Sequence, residues 1–250
     1  MTTKEKHMFD TPRILYEDNH LLVALKEPNL LVQGDATGDP DMLGMLKDYI
    51  KEKYEKPGEV YLGLVHRMDR PVGGLLCFAR TSKAAERLSR QVREKTLGRE
   101  YVLVAQGRAR DYDTLRDMLL KDEKTNMVRV VPGYLRQGKQ AQLSYRCVGR
   151  GETDSLLIAR LQTGRAHQIR VQLANAGLPL WGDNRYGQGK PGQQIALWGM
   201  RLTLNHPITG KQMVFLAPPP NTGAWQAWQR EIVGLESIWP DIPTTGRTET

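Results

Sequence analysis

The sequence predicts an α+β protein with a large mixed, largely antiparallel sheet, and three observations lead there. Segments with strand character clearly outnumber segments with helical periodicity. The two kinds do not alternate strictly, as they would in a doubly wound parallel fold. The chain has 250 residues, which is enough for one large domain or two closely joined halves.

In the first half of the chain, apolar runs predict a β-hairpin, three further strands and two helices. Leu43, Leu46 and Ile50 recur at helical spacing and indicate the first helix. Thr81 or Ser82 can cap the second. In order, the predicted elements are a hairpin at 14–16 and 21–25, a helix at 41–53, strands at 60–65 and 75–79, a helix from 82 to before Gly98, and a strand at 101–105.

The second half is less regular. Residues 111–150 are polar and give no clear pattern. A helix is predicted from Arg165 to Ala176, stopped by Gly177. The other predicted elements are strands at 155–161, 195–198, 202–204 and 213–216. We expect residues 1–10 to be a tail, 11–235 the folded domain and 236–250 a flexible C-terminal tail.

The charge distribution indicates a polyanionic partner. The net charge is +8, from 36 basic and 28 acidic residues. Residues 80–110 contain nine basic and three acidic side chains, and residues 129–170 contain eight and two. Two concentrated basic blocks suit the phosphates of a nucleic acid. A solvated basic surface without a partner is the alternative that charge alone leaves open.

Several classes of protein are disfavoured by the sequence. Cys77 and Cys147 are isolated, so we expect two reduced packing residues rather than a redox pair. The five histidines show no metal-ligand spacing, and we expect no metal. Nucleotide-binding, serine-hydrolase and zinc-protease motifs are not found. No apolar stretch is long enough to span a bilayer and the start is not a secretory signal, so we expect a cytoplasmic protein.

Asp69 is the first candidate for chemistry. It lies in a loop directly after a predicted buried strand, between Arg67 and Arg70, where Pro71 and the Gly73-Gly74 pair shape the turn. Neighbouring guanidinium groups favour the ionised carboxylate, which would be a nucleophile at neutral pH without a general base. An aspartate that pairs with an arginine to hold a turn is the alternative.

The segment from Gln162 to Arg170 is the second candidate. Gly164 precedes a predicted helix whose first turn would carry Arg165, His167 and Gln168. Such a terminus offers free backbone N–H groups and side-chain donors to a phosphate. Arginines are also common at helix ends without any ligand.

Three segments, in order along the chain, resemble the motifs of the RluA-type pseudouridine synthases, a family of RNA-modifying enzymes. Residues 66–74 (HRMDRPVGG) resemble H-R-L-D-x-x-T-S-G, which holds the catalytic aspartate. Residues 95–104 (KTLGREYVLV) resemble the strand with the active-site tyrosine, and residues 164–173 (GRAHQIRVQL) resemble G-R-T-H-Q-I-R-x-H-L. The departures are Met68, Val72-Gly73, Ala166 and Gln172. The resemblance spans about residues 10 to 220, and we expect no accessory RNA-binding module before it.

The resemblance implies a pseudouridine synthase catalytic fold, with two subdomains on a central sheet flanking a basic cleft. It makes Asp69 the group that attacks a flipped uridine, Tyr101 the ring that stacks on the uracil, and Arg165 the partner that keeps Asp69 ionised. It implies ribosomal or transfer RNA as the substrate, and no cofactor. The residues that we expect to contact RNA are Arg67, Arg70, Lys83, Arg87, Arg90, His167, Gln168 and Arg170.

Other functions remain as alternatives. A non-catalytic RNA-binding protein or RNA folding helper on the same fold would bind RNA but would be indifferent to the Asp69→Asn change. A nucleosidase or glycosidase also works at an anomeric carbon, but normally needs a second carboxylate nearby.

For Tyr101, packing in the core is the alternative role, and a solvated face is the alternative for Lys83, Arg87 and Arg90. We expect a monomer.

Overall fold

The computed structural model describes residues 12–243, which form two compact units. The first unit comprises residues up to Leu97 together with Leu204–Phe215, and the second comprises Gly98–Thr203 and the residues from Leu216 onwards. Both combine antiparallel strands with a few helices, so the predicted α+β class is confirmed. Within residues 12–243, no helix has the length and apolar character needed to cross a membrane.

The first unit is a small sheet covered by helices. Strand β2 pairs antiparallel with β1 and β4, and β3 pairs with β4. Leu46 and Ile50 of α1 pack with strand residues such as Leu22 and Phe78 in one core cluster. The elements are β1 (Ile14–Glu17), β2 (Leu21–Lys26), α1 (Met42–Lys53), β3 (Gly63–Leu64), β4 (Gly73–Ala79) and α2 (Ser82–Arg93).

The second unit is built on longer antiparallel strands. Their order is β10-β5-β9-β8-β6-β7. The elements are β5 (Gly98–Gln106), β6 (Tyr112–Asp122), β7 (Met127–Val131), β8 (Lys139–Arg150), β9 (Asp154–Leu161), α3 (Gln168–Asn175), β10 (Leu197–Asn205, with its last two residues in the first unit), β11 (Gln212–Leu216, with only its last residue in the second), a 3₁₀ helix (Gly223–Trp228) and α4 (Gln229–Ser237).

Local signals located the helices of the first unit correctly. The predicted helix at 41–53 is α1, and the Asp41 side chain accepts a hydrogen bond from the N–H of Gly44 at 3.0 Å. The predicted Thr81 cap is also confirmed, since its Oγ1 accepts from the N–H of Ala84 at 3.2 Å. A capping side chain satisfies a backbone N–H that has no partner inside the helix.

Other predictions of secondary structure were wrong or incomplete. Of the predicted strand at 60–65, only Gly63–Leu64 is paired. The unassigned segment 111–150 holds β6, β7 and β8. The pieces at 195–198 and 202–204 belong largely to one strand, β10, whose register shifts between Trp198 and Arg201. An irregular pairing breaks the alternation that sequence patterns rely on.

The predicted tails fall mostly outside the described residues. Residues 1–10 and 244–250 are not described. Within the predicted tail at 236–250, α4 continues to Ser237 and Ile242 is buried, with 1% of its surface exposed. The described part of this segment therefore packs on the second unit instead of forming a tail.

Candidate active site

Asp69 lies in the loop that joins β3 to β4 in the first unit. Every residue of β4 is buried, so the loop is attached to a fixed strand. The carbonyl of Asp69 accepts a hydrogen bond from the N–H of Val72 at 3.0 Å, which closes a tight turn. The Asp69 side chain is half-buried, while Arg67 two residues earlier is exposed. The carboxylate is thus held on a rigid support, as a catalytic group requires.

A buried lysine that the sequence analysis missed supports this loop. Lys26 ends β2 and has no exposed surface. Its Nζ donates to the carbonyls of Glu27 at 3.0 Å, Leu30 at 2.7 Å and Arg70 at 3.0 Å. Burial lowers the pKa of Lys26 to about 7, against the opposing charge of Asp69. In the sequence, Lys26 looks like an exposed lysine that ends an apolar strand.

Arg70 and His66 hold the loop in place. The Nη2 of Arg70 lies 2.8 Å from Oδ2 of Asp39, and its Nε donates to the carbonyl of Asn29 at 3.1 Å. Arg70 is exposed, so RNA can still reach it, but its guanidinium already bridges two loops. The Nε2 of buried His66 accepts from the N–H of Cys77 at 3.3 Å, which ties the loop to β4.

The predicted cationic face of α2 is partly available. Lys83 and Arg90 are exposed, and Arg90 makes only a surface ion pair with Glu86 at 3.2 Å. Such exposed ion pairs contribute little to stability, so Arg90 can give up Glu86 for a phosphate at little cost. Arg87 is half-buried, and its Nη1 donates to the carbonyl of Pro207 at 2.6 Å. Arg87 therefore ties the middle of α2 to the segment after β10 and is less available to a ligand than Lys83 or Arg90.

Tyr101 lies on β5 of the second unit, opposite Ala159 of β9. It is buried, and its neighbour Glu100 is buried on the other face of the strand. Glu100 accepts from the Nε of Arg160 at 2.7 Å and pairs with Arg201. This ion-pair network fixes the strand that carries Tyr101.

Arg165 is exposed, but it precedes the helix instead of opening it. Helix α3 begins at Gln168, because His167 adopts a left-handed conformation with φ of 51°. The Oε1 of Gln168 accepts from the N–H of Arg165 at 2.9 Å, and the Nε of Arg165 donates to the carbonyl of Gln140 at 2.9 Å. The prediction that Arg165 and His167 occupy the first helical turn is therefore wrong. The N-terminal phosphate site inferred from it has no basis.

Two residues predicted to contact RNA are buried and have partners inside the protein. Gln168 is buried, and its amide donates to the carbonyl of Gln142 at 3.0 Å. Arg170 is 5% exposed and makes a two-pronged ion pair with Asp183, with Nε–Oδ2 at 2.8 Å and Nη2–Oδ1 at 2.7 Å. Half-buried His167 places Nδ1 2.6 Å from the hydroxyl of Tyr186. These side chains stabilise the segment and leave Arg165 as its accessible cation.

The expected site residues are thus divided between the two units. The first unit carries Asp69, Arg67, Arg70 and the α2 cations, and the second carries Tyr101 and Arg165. The pairing of Asp69 with Arg165 stays a prediction. Within residues 12–243, no group of His, Cys, Asp or Glu side chains is arranged to hold a metal ion.

Comparison with known proteins connects these residues to one family. A family model described as RNA pseudouridylate synthase matches residues 20–175, which include the Asp69 loop, Tyr101 and Arg165. The chain is 31% identical to a ribosomal large subunit pseudouridine synthase D of Nitrosomonas europaea, over 84% of this chain and 62% of that protein. It is 34% identical to the protein of the same name from Haemophilus influenzae, over 83% of this chain and 67% of that one.

Solved structures agree on the fold. Human RNA pseudouridylate synthase domain containing 1 superposes with a TM-score of 0.71 at 20% identity, covering 95% of this chain and 99% of that one. Human RNA pseudouridylate synthase domain containing 4 gives 0.70 at 18% identity, covering 90% and 93%. At these identities the likeness concerns the arrangement of the strands and helices alone.

Proposed function

The chain belongs to the RNA pseudouridylate synthase family, and we propose that it isomerises specific uridines of RNA to pseudouridine through Asp69. One observation carries the proposal. The half-buried carboxylate of Asp69 projects from a turn that is closed by a backbone hydrogen bond and supported from below by Lys26. It lies in the HRMD segment that resembles the family's catalytic motif.

The reaction needs one nucleophile and one proton acceptor. Asp69 attacks the flipped uridine, at the ribose C1′ or at the base, and the bond between N1 and C1′ breaks. The uracil turns within the pocket, C5 bonds to C1′, and the covalent bond to Asp69 breaks to return the free carboxylate. C5 loses its proton and N1 takes one up, so that product and substrate are isomers. Tyr101 stacks on the uracil and assists this last proton transfer, and Arg165 keeps Asp69 ionised. No metal or nucleotide cofactor takes part.

Exposed cations of the first unit bind the RNA. Extruding a base costs a few kcal/mol, and the cost is smallest where the base is unpaired. Exposed Arg67 fills the space that the flipped base leaves, and Lys83 and Arg90 bind phosphates, with Arg70 as a further contact. Two relatives are named as ribosomal large subunit enzymes, so we propose ribosomal RNA as the first substrate to test, with transfer RNA second. The chain acts as a monomer in the cytoplasm.

The test is tritium release from RNA transcribed with 5-³H-uridine, because C5 must lose its hydrogen when it bonds to C1′. We expect release by the wild type and none by the Asp69→Asn variant on ribosomal or transfer transcripts. Asp39→Asn is the matched control, since Asp39 is an aspartate of a neighbouring loop that also contacts Arg70. Equal RNA binding by wild type and Asp69→Asn with no release from either would favour the non-catalytic RNA-binding protein.

A further inference from the structure

The turn between β7 and β8 presents an exposed aromatic ring. Tyr134 is 83% exposed, the largest exposed fraction among the large apolar side chains of residues 12–243. Two backbone hydrogen bonds close the turn, from the N–H of Leu135 to the carbonyl of Pro132 at 3.0 Å and from the N–H of Gly138 to the carbonyl of Leu135 at 2.9 Å. The known chemistry of the site does not need this ring.

The turn is fixed tightly enough to hold the ring away from the sheet. A Cβ on Gly138 would lie 3.1 Å from Val131 Cγ2 and 3.2 Å from both the Leu135 carbonyl and Met118 Cε, so the chain packs closely there. Val131 is buried where the turn begins, and Leu135 is half-buried in its middle, so the turn is anchored on both sides of Tyr134. Tyr134 is therefore displayed by a preformed support, which lowers the entropy cost of binding a ligand.

The surroundings of the ring are cationic. Arg136 and Lys139 are exposed, and neither makes an ion pair with any residue in the range 12–243. The sequence has no acidic residue between Met127 and Gly151. An aromatic ring with free cations two and five residues along the chain suits single-stranded nucleic acid, whose bases stack on the ring while its phosphates meet the charges.

The turn leads directly to the residues that hold Arg165. The carbonyl of Gln140, next to Lys139, accepts from the Nε of Arg165 at 2.9 Å. The N–H of Gln142 donates to Thr163 Oγ1 at 2.8 Å, two residues before Arg165. RNA that reaches Arg165 therefore also lies beside the start of β8, where the turn ends.

We propose that Tyr134 stacks on an unpaired nucleobase next to the target uridine, while Arg136 and Lys139 bind the adjoining phosphates. This RNA-binding surface rests on the proposed function. Stacking alone tolerates any base, so the surface adds affinity for single-stranded RNA without selecting a sequence. It gives the second unit a contact of its own with the RNA, outside the residues of the three motifs.

The test compares Tyr134→Ala and Tyr134→Phe in binding a fluorescein-labelled 12-nucleotide single-stranded RNA, measured by anisotropy. We expect the Kd to rise roughly tenfold for Tyr134→Ala, while Tyr134→Phe keeps the wild-type value within about twofold. Tyr112→Ala is the matched control. This partly exposed tyrosine lies at the opposite end of the same strands, about seven residues or roughly 23 Å along β8.

Salt dependence separates the ring from the charges. Replacing both Arg136 and Lys139 with glutamine should reduce the slope of log Kd against log salt by about 1.4, since each phosphate contact on a single strand contributes about 0.7. Tyr134→Ala should leave that slope unchanged. The proposal is overturned if Tyr134→Ala binds like wild type, or if Tyr134→Phe loses as much affinity as Tyr134→Ala.

The failure of this inference can be told apart from the failure of the proposed function. If the wild type releases tritium and the Tyr134→Ala variant has unchanged Kd and KM, the surface is wrong and the isomerase stands. If the wild type binds RNA but releases no tritium, the isomerase fails while the binding measurements still decide the role of Tyr134. A wild type that binds no RNA overturns both.

Discussion

Replacing Arg170 with methionine should destabilise the second unit by about 3 kcal/mol or more without acting directly on RNA. The guanidinium is 5% exposed and forms two hydrogen bonds with Asp183, whose side chain has no exposed surface. Methionine fills a similar volume but leaves the carboxylate with only the backbone N–H groups of Arg185 and Tyr186. Breaking a buried ion pair by removing one partner costs about 3–5 kcal/mol.

Urea and thermal unfolding followed by circular dichroism measure this loss. At roughly 2–4 °C per kcal/mol for a chain of this size, the midpoint temperature should fall by about 6–20 °C. Arg165→Met is the matched control, because this arginine is exposed. It should lower tritium release and leave the midpoint within about 1 °C. An Arg170→Met variant as stable as wild type, but with weaker RNA binding, would refute the reasoning and restore Arg170 as an RNA contact.

Two further outcomes follow from the same buried charges. Lys26→Met removes the ammonium that binds three carbonyls next to the Asp69 loop, so kcat for tritium release should fall about tenfold at unchanged KM. An unchanged kcat would show that the Asp69 loop keeps its conformation without Lys26. Burial works to raise the pKa of Asp183, but the hydrogen bonds from Arg170 and the backbone outweigh it, and the pKa lies below its usual range. Its stabilisation is therefore complete above the unfolded value of about 3.9 and is lost as the pH falls through the folded pKa. Urea unfolding from pH 7 down to pH 2 should show this loss in wild type and a smaller one in Arg170→Met.

The elements that could be predicted from the sequence are those with local causes. Helix α1 has Asp41 as its cap and a stripe of apolar residues that the structure buries, and the hairpin of β1 and β2 has a polar turn between apolar runs. The strands β6 to β8 were not predicted, although β8 alternates polar and apolar residues from Gln140 to Cys147. In β6 the apolar residues Met118, Leu119 and Leu120 are consecutive, which interrupts the alternation. The pairing of β6 with β8 joins residues 20 or more positions apart, which a local sequence pattern does not show.

Among the functional residues, too, those with local sequence signals could be predicted and those that depend on distant contacts could not. The turn at Asp69 could be found because its glycines and proline are visible in the sequence, next to a strand that is apolar throughout. Lys26 could not be found. A lysine at the end of a strand is usually exposed, and only the three carbonyls that surround its Nζ make burial tolerable. Those carbonyls belong to two loops that are about 40 residues apart in the chain, and only the fold brings them together.

The segment from Gly164 to Arg170 shows why a motif does not by itself define a binding surface. Its polar residues all suit phosphate, and nothing in the sequence distinguishes those that are free to bind it from those that are not. Their hydrogen bonds do separate them. Arg170 forms its ion pair with Asp183, and Gln168 forms hydrogen bonds with Thr163, Gln142 and the backbone of Arg165. A buried polar group must be satisfied inside the protein, so a buried side chain whose partners are all internal is not available to a ligand. What remains is Arg165, whose exposed guanidinium uses only its Nε, at Gln140, and the buried residues determine where it stands.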